Sequence, residues 1–223
     1  MNKTLRDCLD RIAKNKDQKV GPCEHCSLRE DHGPALIECA EDYPQVMIVS
    51  ESPAGKPHET KDLEEWKRIV LKSCYDKSTG DLSSARDMGD FLGRLTRGKV
   101  YGGTVDSRSH ILYWTHTVKC FLQNKDSGIR ETKRIRKADF ARAIRQCSRY
   151  LSEEVEAANP RLVVGVGTSV AGRKLRELGL SNLCVVYHPG AQKSKEEKAA
   201  KLKILRMKAE ELQLGAILPG CFS

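Results

Sequence analysis

The chain has 223 residues, 31% of them charged and 5% aromatic, and its 39 Lys and Arg outnumber its 30 Asp and Glu to give a net charge of +9. A length of this order holds one sizeable domain whose core closes without covalent staples. The basic excess points to a polyanionic partner, nucleic acid first, and fits a plain solvated basic surface equally well. Apolar runs such as Leu162-Val-Val-Gly-Val-Gly167 are far too short to span a bilayer, which excludes a membrane-spanning role for them. The first fifteen residues are charged throughout, unlike a secretory signal, so a cytoplasmic protein is expected.

In chain order, the first chemically informative element is Cys23-Glu-His-Cys26, preceded by Gly21-Pro22. A tight turn there aims both thiols at one centre. Val46–Ser50 then reads as a buried strand, rich in β-branched residues and bounded by polar ones. Residues 59–101 are more than one connection needs, so one or two further helices are expected, with a hairpin-like excursion near Gly102-Gly103. Ile111–Thr115 is the second predicted strand, with His116 and Cys120 just beyond it.

The stretch Asn124–Lys137 is a basic loop. Helical period follows from about Lys137 to Ala158, placing Phe140, Ile144, Cys147, Leu151 and Val155 on one face, and Pro160 stops it. Arg161–Gly165 and Leu183–Tyr187 are the third and fourth predicted strands, and His188-Pro-Gly follows the latter. A last helix carries Leu202, Leu205, Ala209 and Leu212 on one face, and Ser194 with Glu197 forms a capping box at its start. Strands alternating with helices predict a parallel sheet covered on both faces, with ligands at the carboxyl ends of the strands. Glu51, His116, Cys120 and His188 all follow strands.

Nine cysteines without a visible secretory signal favour metal ligation over a disulfide framework. Cys23, Cys26, Cys120 and Cys147 are dispersed, with no second close pair of the kind zinc modules supply, and four such thiolates suit an iron–sulfur cluster. Structural zinc remains the competing occupant. Plain burial of Cys120 and Cys147 is the bland alternative, since free cysteine packs as a small apolar residue. Cys8, Cys39, Cys74, Cys184 and Cys221 are assigned to packing or free thiols.

Five segments, in order, carry a family resemblance. They are the Cys23/Cys26 pair; Val46-Met-Ile-Val-Ser-Glu-Ser-Pro-Ala-Gly55; Tyr113-Trp-Thr-His-Thr-Val-Lys-Cys120; Cys147-Ser-Arg-Tyr-Leu151 with Asn159-Pro-Arg-Leu-Val-Val-Gly-Val-Gly167; and Tyr187-His188-Pro189-Gly190. Together they resemble the uracil-DNA glycosylase superfamily, most closely its iron–sulfur-containing, family 4-like branch. The segment from Lys56 to Arg108 does not align.

The resemblance implies an α/β fold, a three-layer α/β/α sandwich around a short central parallel sheet, in one domain over residues 1–223. Residues 1–40 would form an N-terminal helix and cluster-binding segment. It implies a [4Fe–4S] cluster on Cys23, Cys26, Cys120 and Cys147, DNA as partner, a monomeric state, a nucleoid-associated location and base-excision chemistry. His188 would hydrogen-bond the leaving base, and Glu51 would position water or offset the cationic sugar. Pro53 and Pro189 would stiffen loops against the DNA backbone, and Phe91 would stack on the extruded base. As residues alone, His188 is equally a satisfied loop histidine, Glu51 a helix-start carboxylate and Phe91 a helix-core residue.

The chain departs from the family pattern at His116, where the family has a base-reading Asn. It also departs at Ser50-Glu-Ser-Pro-Ala54, where the family has a glycine-flanked loop, and at Pro57-His58, where it has a second acidic residue. No bulky apolar wedge follows His188. These differences keep a second expectation in view: a non-catalytic iron–sulfur nucleic-acid-binding protein that retains the glycosylase fold.

Overall fold

A computed structural model of the chain describes residues 4–26, 44–52, 91, 112–120 and 137–215. Four strands, β1 (Val46–Ser50), β2 (Leu112–His116), β3 (Leu162–Val166) and β4 (Leu183–Val186), form one sheet in the order β2-β1-β3-β4. All neighbouring pairs are parallel. Among the described residues, four α-helices can be followed over their length: α1 (Leu5–Asp17), α2 (Lys137–Ala158), α3 (Ala171–Glu177) and α4 (Lys195–Glu211). The predicted three-layer sandwich is what the described residues form.

Period-2 alternation along the strands divides the core. Met47, Val49, Tyr113 and Val163 face α1, α2 and α3, packing with Leu5, Ile12, Tyr150, Leu151 and Leu175. Val46, Ile48, Leu162, Val164 and Cys184 face the opposite way, onto Leu205, Ala209 and Phe91. Each strand is therefore apolar on both faces, as a doubly covered parallel sheet requires. In α3, Gly172 permits an unusually close approach. A Cβ there would lie 2.8 Å from the Gly167 carbonyl oxygen and 2.7 Å from Val185 Cγ1, so only glycine lets α3 sit so near β4.

The helix ends follow local chemistry. Thr4 and Asp7 close a capping box on α1, and Ser194 and Glu197 close the one expected on α4. Asn159, at φ 41°, ends α2 in the left-handed region before Pro160, a position asparagine tolerates well.

The strand and helix expectations hold with shifts of one residue: β2 includes His116, β3 runs to Val166 and β4 stops at Val186. The stripe on α2 is wider than periodicity indicated, because Ala143, Tyr150 and Glu154 are also buried. On α4 the expected face is narrower. Leu205 and Ala209 are fully buried, but Leu202 is 39% exposed at the helix edge. No described helix is long and apolar enough to cross a membrane. The helices and hairpin expected within residues 59–110 lie outside the described residues, apart from Phe91, and so does the basic loop.

Candidate active site and cysteine centre

Because all four strands are parallel, their carboxyl ends share one edge of the sheet. The chain passes from β1 to β2 on one side and then returns past β1 to β3 on the other. The reversal falls between β1 and β3, and the carboxyl ends of strands at such a point are the usual ligand position in parallel sheets. Glu51 leaves β1 at this edge and is half-buried. His116 pairs in register with Ser50. The two strands stay zipped beyond their formal ends, through Thr117 N–H to the Ser50 carbonyl (2.8 Å) and Val118 N–H to the Glu51 carbonyl (2.9 Å). His188 and Pro189 follow β4, two strand spacings from β1, or about 10 Å.

His116 is 2% exposed. Its ring lies 5.4 Å from that of Trp114, whose indole N–H donates to Ser50 Oγ at 3.0 Å. Among the described residues His116 Nε2 has no hydrogen-bond partner. Burial, reinforced by the Lys119 ammonium, pushes its pKa down to about 3, so the imidazole is neutral at any physiological pH. The imidazole here is a buried, uncharged polar group, not a cation.

His188 is held differently. The Gly190 N–H donates to His188 Nδ1 at 3.1 Å. A backbone amide can only donate, so Nδ1 carries no proton and a neutral ring bears its proton on Nε2. The loop around it is braced from α4: Lys198 Nζ donates to the Pro189 carbonyl at 2.8 Å, and Lys193 Nζ sits 5.5 Å over the Tyr187 ring. His188 is thereby a pre-oriented hydrogen-bond donor at the functional edge.

The four expected cluster cysteines come from three places. α1, tied to α2 by the Arg11–Glu153 ion pair, leads into a 3₁₀ turn at Gly21–Cys23. Gly21 has φ +57°, a conformation that suits glycine, and Pro22 starts the turn that carries Cys23 and Cys26. Cys120 follows β2, and Cys147 is on the buried face of α2.

All four are buried, at 9%, 7%, 5% and 5% exposure in chain order. Cys26, Cys120 and Cys147 share one apolar cluster with Val118, Ile144 and Val170. Cys120 lies within electrostatic reach of Cys26 and Cys23, and Cys147 of Cys120 and Cys26, so the sulfurs occupy one region. Burial pushes the Cys147 thiol up to about 12 and raises Cys120 and Cys23 as well. Lys16 Nζ lies 2.6 Å from Cys120 Sγ, and Tyr150 Oη 3.4 Å from Cys23 Sγ. As the side chains stand, no three His, Cys, Asp or Glu among the described residues are arranged to hold a metal ion.

The profile of the uracil DNA glycosylase superfamily matches residues 38–209. The chain belongs to that superfamily. The match covers β1 through most of α4, with Glu51, His116, Cys120, Cys147 and His188 inside it. Cys23 and Cys26 fall before it. No curated protein matches the chain closely enough to count as a relative.

The other expected site residues divide. Phe91 is 4% exposed among Val46, Ile48 and Leu205, which gives it a core position beneath α4. Pro53 lies outside the described residues. Sequence reasoning passed over Thr115, Lys119 and Glu154, which form a fully buried polar group beneath the edge. Glu154 had a visible signal: it stands seven residues after Cys147, a charge on the apolar face of α2. Lys16 had none, because nothing in α1 marks one lysine as turned inward.

Proposed function

We propose that the protein is a DNA glycosylase of base-excision repair, hydrolysing the N-glycosidic bond of uracil or a related deaminated base. Membership of a family that acts on DNA supports the reaction class. The observation that carries the reading is the pinned His188: its Nδ1 accepts from the Gly190 N–H, which puts the proton of the neutral ring on Nε2, at the carboxyl edge of the sheet where Glu51 and His116 also stand.

A base inside a duplex cannot be reached, so it is extruded into the site. As the bond from sugar C1′ to the base nitrogen breaks, its electron pair moves onto the base and the sugar becomes oxocarbenium-like. Nε2–H of His188 donates to the base oxygen where negative charge develops. Glu51 positions the attacking water and offsets the positive sugar. Water adds to C1′, and its proton is lost to the site or solvent. Neutral His116 reads the edge of the base in the place of the family's Asn. Pro189, braced through its carbonyl by Lys198, stiffens the loop that meets the DNA backbone.

Cys23, Cys26, Cys120 and Cys147 would hold a [4Fe–4S] cluster. Four soft donors, an apolar enclosure and the adjacent Lys16 cation fit an anionic iron–sulfur centre. When bound, the cluster supplies structural cross-linking, joining the N-terminal segment to β2 and α2.

A second reading, a nucleic-acid-binding protein without catalysis, draws on His116 itself, since one imidazole replaces the paired donor and acceptor of an amide. Base release from single- and double-stranded oligonucleotides carrying uracil, hypoxanthine or xanthine separates the two. Release of at least one base, lost in His188→Ala with DNA binding retained, is expected. An iron-loaded protein that releases none would leave only the binding role.

A further inference from the structure

Lys119 and Glu154 form an ion pair with N–O 2.7 Å, their side chains 3% and 0% exposed. Lys119 Nζ also donates to Thr115 Oγ1 (2.9 Å) and to the His116 carbonyl (2.6 Å), and Thr115 Oγ1 donates to Glu154 Oε2 (3.0 Å). Lys119 precedes Cys120, which shares one apolar cluster with Cys147. One side chain thus ties α2 and β2 together and grips the peptide that carries His116. Burial raises the Glu154 pKa, and the neighbouring Lys119 opposes that rise.

Stability alone is a poor reason for such a group. Removing two charges from water offsets most of what their attraction returns, and a well-packed apolar pair is often as stable. Meanwhile the buried His116 ring is held by packing: its Nε2 makes no hydrogen bond among the described residues, and Trp114 supplies a tilted ring contact. With Nε2 making no polar contact among the described residues, hydrogen bonding fixes this residue through its backbone, and Lys119 holds its carbonyl.

We propose that the Thr115–Lys119–Glu154 group is a positioning device for His116. It fixes the peptide after β2 so that the imidazole meets the edge of an extruded base, and it links this setting to the cysteine centre through Cys147 and Cys120. The inference rests on the glycosylase reading. Lys119 and Glu154 touch no substrate and act through His116.

The test uses the full-length, iron-loaded protein. The double variant Lys119→Met with Glu154→Leu removes both charges without orphaning either one. Thr115→Val removes one hydroxyl, and Thr115→Ser restores it. Four quantities are read: stability to urea, iron per chain, single-turnover release of uracil with its half-saturating protein concentration, and the ratio of affinities for oligonucleotides carrying 2′-fluoro-deoxyuridine or thymidine.

The double variant should unfold at no lower urea concentration and keep its iron and its affinity for thymidine DNA. It should lose tenfold or more both in the affinity ratio and in the release rate at saturation. Thr115→Val should lose a few-fold in the same ratio, and Thr115→Ser should regain it. If the double variant fails to fold, the Thr115 pair decides by the same ratio. Unchanged discrimination in a folded variant, with a discriminating wild type, overturns the positioning role alone. A wild type that distinguishes no base overturns the functional reading and this inference with it.

Discussion

Replacing His116 by Asn gives a prediction whose size follows from burial. In the unfolded chain the imidazole titrates at 6.5, and in the folded protein burial and the Lys119 ammonium hold it near 3. Between these values the unfolded state binds the extra proton, so folded stability falls as pH falls. The linkage slope approaches about 1.4 kcal/mol per pH unit below the unfolded pKa. Acidification from pH 7 to pH 5 should therefore cost about 2 kcal/mol through this one side chain. The pKa of Glu154 is raised, so its shift runs in the opposite direction, and it is common to both proteins. The difference between wild type and His116→Asn isolates the histidine.

Urea unfolding at pH 7, 6 and 5, followed by circular dichroism, is the assay. The wild type should lose about 2 kcal/mol more than the variant over that interval, with most of the loss below pH 6.5. The variant should also shift base preference towards uracil, since an amide offers a donor and an acceptor side by side. Parallel stability profiles, or a His116 ring that titrates near 6.5 by NMR in the folded protein, would refute the reasoning.

If the proposed cluster is present, Cys147→Ser should remove its broad visible absorbance and lower iron per chain, and the loss of a residue 5% exposed inside the apolar cluster should lower the unfolding midpoint. Chelation of iron from the wild type should reproduce the loss of stability. Gly172→Ala should destabilise by about 1–3 kcal/mol through overpacking, because its Cβ would meet the fixed Gly167 carbonyl, and calorimetry reads this directly.

Much of the scaffold was legible in the order of residues. The four strands are short β-branched runs that must be buried on both faces, and their polar boundaries place them to within a residue. The capping box at Ser194 and Glu197 and the stop at Asn159-Pro160 act within a few bonds, so local chemistry suffices to find them. The positions of Glu51 and His188 after strands were legible for the same reason, and His116, expected just beyond β2, is its last residue. Periodicity was less able to set the width of a face. It missed Glu154 because a carboxylate on an apolar stripe has no meaning until its partner is known. It overstated Leu202, which is 39% exposed while Leu205 and Ala209 on the same helix are buried.

The sequence by itself determined the alternation of strands and helices, the family motifs and the residue types available for chemistry, since each depends on spacing along the chain. Tertiary structure alone decided which groups are charged, pinned or paired. The neutrality of His116 comes from desolvation within the fold. The tautomer of His188 comes from one backbone amide in a turn. Lys119 and Glu154 are 35 positions apart, and the packing of α2 against the segment after β2 brings them to 2.7 Å. Burial, electrostatic coupling and hydrogen-bond direction depend on distance in space, which no one-dimensional pattern encodes.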